Sequence, residues 1–165
     1  MKSDVRLSLK ALFLICPLVL TAQSARANDC QIIHDAYQAM AKQSALQQTI
    51  ALKDQKPMEM RIIGNDMYMN DGTSWSQIPA ATGMREQMMK QMMPDASALE
   101  NCKEAGSETI NGIETTAYDY FIPAVEKMMA GTGQQRVFIG PDGLPYRMRS
   151  GDTDVTLTYQ GVVAP

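Results

Sequence analysis

The sequence predicts an α+β domain: one antiparallel sheet of about eight or more strands, an N-terminal helix and an inserted helix. Three observations carry this. Ile33, Tyr37, Met40 and Ala41 recur at helical spacing. Most of the remaining chain consists of short strand-like runs separated by Gly-Asn, Asn-Gly or Asp-Gly turn signals. A methionine-rich stretch, stopped by Pro94, interrupts those runs.

The elements follow in order. Asp29 is the expected N-cap of a helix from Cys30 to Gln43. Leu46 to Leu52 is the first strand. Pro57 opens the second, in which Met58, Met60 and Ile62 alternate with Glu59 and Arg61. Gly64-Asn65 turns the chain into Asp66 to Asn70, and Asn70-Asp71-Gly72-Thr73 turns it into a strand from Trp75 to Pro79. Thr82 is placed to cap the inserted helix, which runs to Met92. Strands resume at Lys103 to Ile110 and, after Asn111-Gly112, at Ile113 to Ile122. Ala124 to Ala130 is a short helical or loop segment. Gln135 to Ile139, Leu144 to Arg149 and Val155 to Gln160 complete the sheet.

Residues 1–27 have the composition of an export signal. Lys2, Arg6 and Lys10 precede a short apolar run, Ala11 to Thr21, and Ala25-Arg26-Ala27 is a small-x-small cleavage site. Cys16 follows Ile15, where a lipoprotein signal needs a small residue, so a cleaved leader is expected rather than a lipid anchor. The mature chain would be a single domain over 28–165 in the periplasm. The whole chain carries −3 and its leader is cationic, so the remainder is more acidic still. That balance argues against nucleic acid and anionic lipid surfaces as partners. No apolar run is long enough to span a bilayer. Cys30 and Cys102 remain after cleavage, and in an oxidising compartment they are expected to form one disulfide.

Methionine is the compositional outlier, with 14 in the chain. Met58 and Met60 share one strand face, as do Met67 and Met69. Met84, Met88 and Met92 belong to one broad side of the inserted helix. Such residues pack irregular cores, line adaptable apolar sites, or bind Cu(I) through thioethers, for which Met67-x-Met69 has workable spacing. Catalysis finds little support. His34 is the single imidazole and reads as a helix-flank residue, and no nucleophile elbow, metal-protease motif or phosphate loop is present.

Three segments resemble the LolA/LolB-like superfamily of exported lipid and lipoprotein carriers, which includes mycobacterial lipid-carrying lipoproteins. They are Met60 to Met69 followed by Asp71 to Trp75; Ile110 to Ile113 running on to Tyr118-Asp119-Tyr120; and Val137 to Ile139, then Asp142 to Arg147, with Thr158-Tyr159. The resemblance implies a curved antiparallel half-barrel whose helices cover an apolar concave face, with acyl chains in the cavity and no catalysis or cofactor. It singles out no gating arginine among Arg61, Arg136, Arg147 and Arg149.

The expected function is therefore an exported, non-catalytic carrier or sensor of a lipid or lipoprotein acyl chain. Met58, Met60, Met67, Met69, Trp75, Met84, Met88 and Met92 are its expected lining, and Tyr68 is expected on the opposite face. The alternatives are a periplasmic Cu(I) protein using Met67 and Met69, and an envelope interaction domain without bound ligand.

Overall fold

In the computed structural model, residues 21–79, 83, 85, 87 and 94–165 are described. Helix α1 (Thr21–Ala41) leads into strands β1 (Ala45–Leu52), β2 (Met58–Ile63), β3 (Asp66–Asn70) and β4 (Trp75–Ile78). A 3-10 turn (Ala96–Ala98) precedes β5 (Glu100–Ile110) and β6 (Ile113–Phe121). Helix α2 (Pro123–Met128) follows, then β7 (Gln134–Ile139), β8 (Pro145–Ser150) and β9 (Thr153–Thr158). The predicted inserted helix, Thr82 to Met92, falls largely outside the described residues.

The nine strands form one open sheet in the order β4-β3-β2-β1-β9-β8-β7-β6-β5. Within β1–β4 and within β5–β9, neighbours in sequence pair as hairpins, and β1 pairs with β9 to join the two runs, which leaves β4 and β5 as the two edges. All pairings are antiparallel. The turn chemistry is local: Asn111 and Gly112, between β5 and β6, both have positive φ, as the tightest hairpin turns require. The edge strand β5 is long but irregular, with register shifts on either side of Lys103 and Glu104 and a positive φ at Gly106. Such breaks blunt an edge against pairing with another chain.

Period-two alternation sends one set of side chains inward, toward α1. Ile33, Tyr37 and Met40 of α1 meet Leu46, Ile62, Met67, Tyr118, Tyr120, Val137 and Leu157 there. The register confirms a common face: Leu46 lies across from Ile62, Ile62 from Met67, and Tyr118 from Val137. The outer face is not uniformly polar. Ile110, Ala117, Phe138, Leu144 and Tyr146 make a second buried cluster. Arg147 and Arg149 lie over the Phe138 ring, and Arg147 reaches across to Glu108 at 2.7 Å.

Two sequence expectations are corrected. Asp29 does not cap α1 but lies inside it, because Thr21 to Asn28 is alanine-rich, contains no Gly or Pro, and continues the helix upstream. Strand β5 starts at Glu100 rather than Lys103, which places Cys102 within the sheet. The Cys30–Cys102 disulfide is formed, with Cα atoms 5.2 Å apart, and ties α1 to edge strand β5.

Candidate functional site

Helix α1 packs chiefly on β5 and touches β6, β7 and β8, and its Ile33, Tyr37 and Met40 also share one core with Leu46, Ile62 and Met67 on the inner face of the opposite half, β1–β4. That half presents the methionines. Met60 lies directly across from Met69, Met58 from Ile50, and Met67 from Ile62 and Ile78. Met58, Met60, Met67 and Met69 therefore form one continuous inner-face patch across β2 and β3. Its burial is graded. Met67, beside Ile62 in the main core, is 4% exposed, whereas Met69 is 39% exposed. Met58, Met60, Ile50, Leu52 and Val155 are half-buried.

Not every expected lining residue joins this patch. Trp75 pairs with Asn70, which pairs with Glu59, so its ring lies on the outer face. There Arg61 stacks on it, with the guanidinium carbon 4.2 Å from the ring centroid. Tyr68, across from Arg61, shares that outer face. Met84, Met88 and Met92 lie outside the described residues. From the same segment, Arg85 donates to the carbonyl of Gly64 at 2.6 Å and to that of Gln43. It thereby fastens the chain after β4 to the β2–β3 turn and to the end of α1.

All four arginines left open by the sequence stand on the outer face. Arg61 donates to the Gln47 side chain and the Val163 carbonyl. Arg136 pairs with Asp119 at 2.6 Å, and Arg147 and Arg149 share Asp154. The Arg136 and Arg147 guanidiniums hold the Asp119 and Asp154 carboxyls below the ordinary range. His34 accounts for itself structurally: its Nδ1 donates to the Pro94 carbonyl at 3.0 Å, where the chain returns to α1. Among the described residues, no group of three or more His, Cys, Asp or Glu is placed to hold a metal.

Polar groups on the inner face are few and mostly satisfied. Tyr37 and Tyr120 share a buried hydroxyl–hydroxyl hydrogen bond of 2.6 Å, and the Tyr37 hydroxyl also reaches Met148 Sδ at 3.2 Å. Burial pushes the Tyr37 phenol up to about 12, with Tyr120 raised for the same reason. The exception is Gln48, buried in the β1 row beside Met60, whose amide nitrogen lacks a partner among the described residues. Gln48 lies in the predicted first strand, Leu46 to Leu52, next to two other polar residues, Gln47 and Thr49. The alternation Leu46-x-Gln48-x-Ile50-x-Leu52 is the signal that places it among apolar neighbours.

A cleft of about 700 Å³ opens elsewhere, at the β5–β8 end, between Lys103, Asp119, Arg136 and Arg149. Its charged, ion-paired walls suit polar ligands better than hydrocarbon. A second cavity of about 330 Å³ lies beside Leu144, Tyr146 and Tyr159. The methionine patch, by contrast, is apolar, adaptable and partly uncovered, and it offers van der Waals contact to a flexible chain rather than a reactive group.

No protein-family model matches the sequence, and no curated protein matches it either. Solved structures do match in fold. Lipoprotein LppX of Mycobacterium tuberculosis aligns over 84% of this chain and 98% of its own, with a TM-score of 0.54 and 16% identity. LprF of Mycobacterium bovis aligns over 84% and 96%, with a TM-score of 0.52 and 14% identity. A putative outer membrane lipoprotein-sorting protein domain from Vibrio parahaemolyticus aligns over 84% and 95%, with a TM-score of 0.37 and 9% identity. The open antiparallel sheet with α1 laid across its inner face is thus a fold that this chain shares with LppX and LprF.

Proposed function

We propose that this protein is an exported, non-catalytic carrier or sensor that holds the acyl chain of a lipid or lipoprotein against its methionine patch. One observation carries the reading: Met58, Met60, Met67 and Met69 are contiguous on the inner face of a LolA-like sheet, with Met67 sealed in the core beside Ile62 and Met58, Met60 and Met69 left partly exposed. Each methylene removed from water contributes roughly 0.8 kcal/mol, so contact with even half a long acyl chain supports useful affinity. The proposed lining extends to Met84, Met88 and Met92. Cleavage after Ala27 would release the mature chain, and the Cys30–Cys102 bridge fits an oxidising, extracytoplasmic compartment.

The test is titration of the 28–165 chain with a neutral fluorescent ester, methyl 10-(1-pyrenyl)decanoate. Micromolar binding is expected. Met60→Gln combined with Met69→Gln should weaken it about tenfold, because the patch becomes polar at unchanged size. Unchanged affinity in that variant would overturn the proposed location.

A second reading draws on the same register. Met60, Met67 and Met69 bring three thioethers onto one face, a ligand type selective for Cu(I). It requires tight binding of Cu(I) under reductant that Met69→Leu removes. Equal copper affinity in the two proteins would exclude a thioether site there.

A further inference from the structure

Gln48 occupies the inner-face row of β1 between Leu46 and Ile50. Met60 lies directly across from it on β2, and Leu157 on β9. The residue is 3% exposed, yet its amide nitrogen has no hydrogen-bond partner among the described residues. Leaving buried N–H donors unmade is unfavourable, and methionine or leucine would fill the position without that penalty. A buried polar atom without a partner calls for an explanation, such as a bound group that completes it.

We infer that Gln48 is the polar anchor of the acyl site, its Nε2 donating a hydrogen bond to the carbonyl oxygen of an acyl ester or amide. This rests on the carrier reading and specifies its ligand. The unsatisfied atom is a donor, so the ligand must present an acceptor. The anchor is neutral, and Arg61, Arg136, Arg147 and Arg149 all face outward, leaving no arginine of the sheet to compensate a buried carboxylate. A neutral carbonyl, as in a glycerolipid ester or an N-acyl group, therefore fits better than a free fatty acid. Met60, cross-strand to Gln48, is the side chain that yields to admit the carbonyl. The hydrocarbon then runs outward over Met58 and Met69.

The experiment is competition against the pyrenyl ester by methyl palmitate and by hexadecyl methyl ether, which keeps the chain but lacks the carbonyl. The 28–165 chain should prefer the ester about five- to tenfold. In Gln48→Leu that preference should fall to within about twofold, while ether affinity is retained. Gln48→Met repeats the test in a second apolar background, and the wild-type preference is itself informative if either variant fails to fold. Equal binding of ester and ether by wild type, as when water satisfies the amide, would overturn the anchor and leave the carrier reading standing. A preference that survives in Gln48→Leu would also overturn it. Competition by neither compound would overturn the carrier reading and the anchor together.

Discussion

At the residue scale, the buried hydroxyl pair Tyr37–Tyr120 makes a sharp prediction. Tyr37→Phe leaves the Tyr120 hydroxyl buried without its partner and should destabilise the fold by about 1–3 kcal/mol. Tyr37→Phe with Tyr120→Phe removes both polar groups at constant shape and should recover most of that loss in urea unfolding. A double variant no more stable than the single would contradict the pairing. The same residues set an alkaline limit. Because burial raises the Tyr37 phenol to about 12, its stabilisation is complete below the ordinary phenol value near 10. It declines as pH rises from there toward 12, by up to ~1.4 kcal/mol per pH unit for each proton the unfolded state releases. Urea midpoints should hold from pH 7 to 9 and fall by pH 11, less steeply in the double Phe variant. Equal losses in both proteins would exclude these tyrosines as the cause. Tyr37 was visible in sequence on the apolar face of the first helix and Tyr120 within a predicted strand, but their contact, 83 positions apart, depends on where α1 lies across the sheet. Trp75 shows the opposite limit. The β3–β4 turn sets its register against Asn70, and one residue of register decides the face, so neighbouring methionines do not determine it.

At the element scale, strands were legible because their alternation and turn residues are local. β3 was placed to the residue, Asp66–Asn70, between Gly64-Asn65 and Asn70-Asp71-Gly72. The start of α1 was not, since an alanine-rich run gives no stop signal ahead of Asp29. What holds α1 to the sheet is testable. The Cys30–Cys102 bridge spans 72 positions, and replacing both residues with Ser should lower unfolding free energy by about 4 kcal/mol through restored loop freedom. Urea unfolding of oxidised wild type against the double Ser variant measures this, and a difference under ~1 kcal/mol would mean that α1 is held by packing alone. Arg85 is the corresponding fastening for the chain after β4. Arg85→Ala removes donors to Gly64 and Gln43 and should cost about 1–2 kcal/mol. Arg85→Lys should recover little of it, because an ammonium lacks the fork that spans two carbonyls. Full rescue by Lys would refute the two-point contact.

At the scale of the whole molecule, the two halves of the sheet differ in what they carry. The β5–β8 half carries most of the contacts of α1, the disulfide, the tyrosine pair and the second apolar cluster. The half built on β1–β4 carries methionines of unequal exposure, from 4% at Met67 to 39% at Met69. Among the described residues, no helix is long and apolar enough to cross a membrane. The methionine excess was legible in sequence, and so was its pairing on strand faces. The unsatisfied amide in its midst was not, because polarity in sequence reads as exposure until the row around it is known.

Native mass spectrometry of the protein recovered from periplasm without detergent tests acyl-chain carriage most directly. A chain beginning at Asn28 that carries an adduct of lipid or lipopeptide mass is expected. The adduct should be lost on collisional activation and depleted in the Met60→Gln, Met69→Gln variant. A clean unliganded mass, or an adduct unaffected by those substitutions, would contradict it.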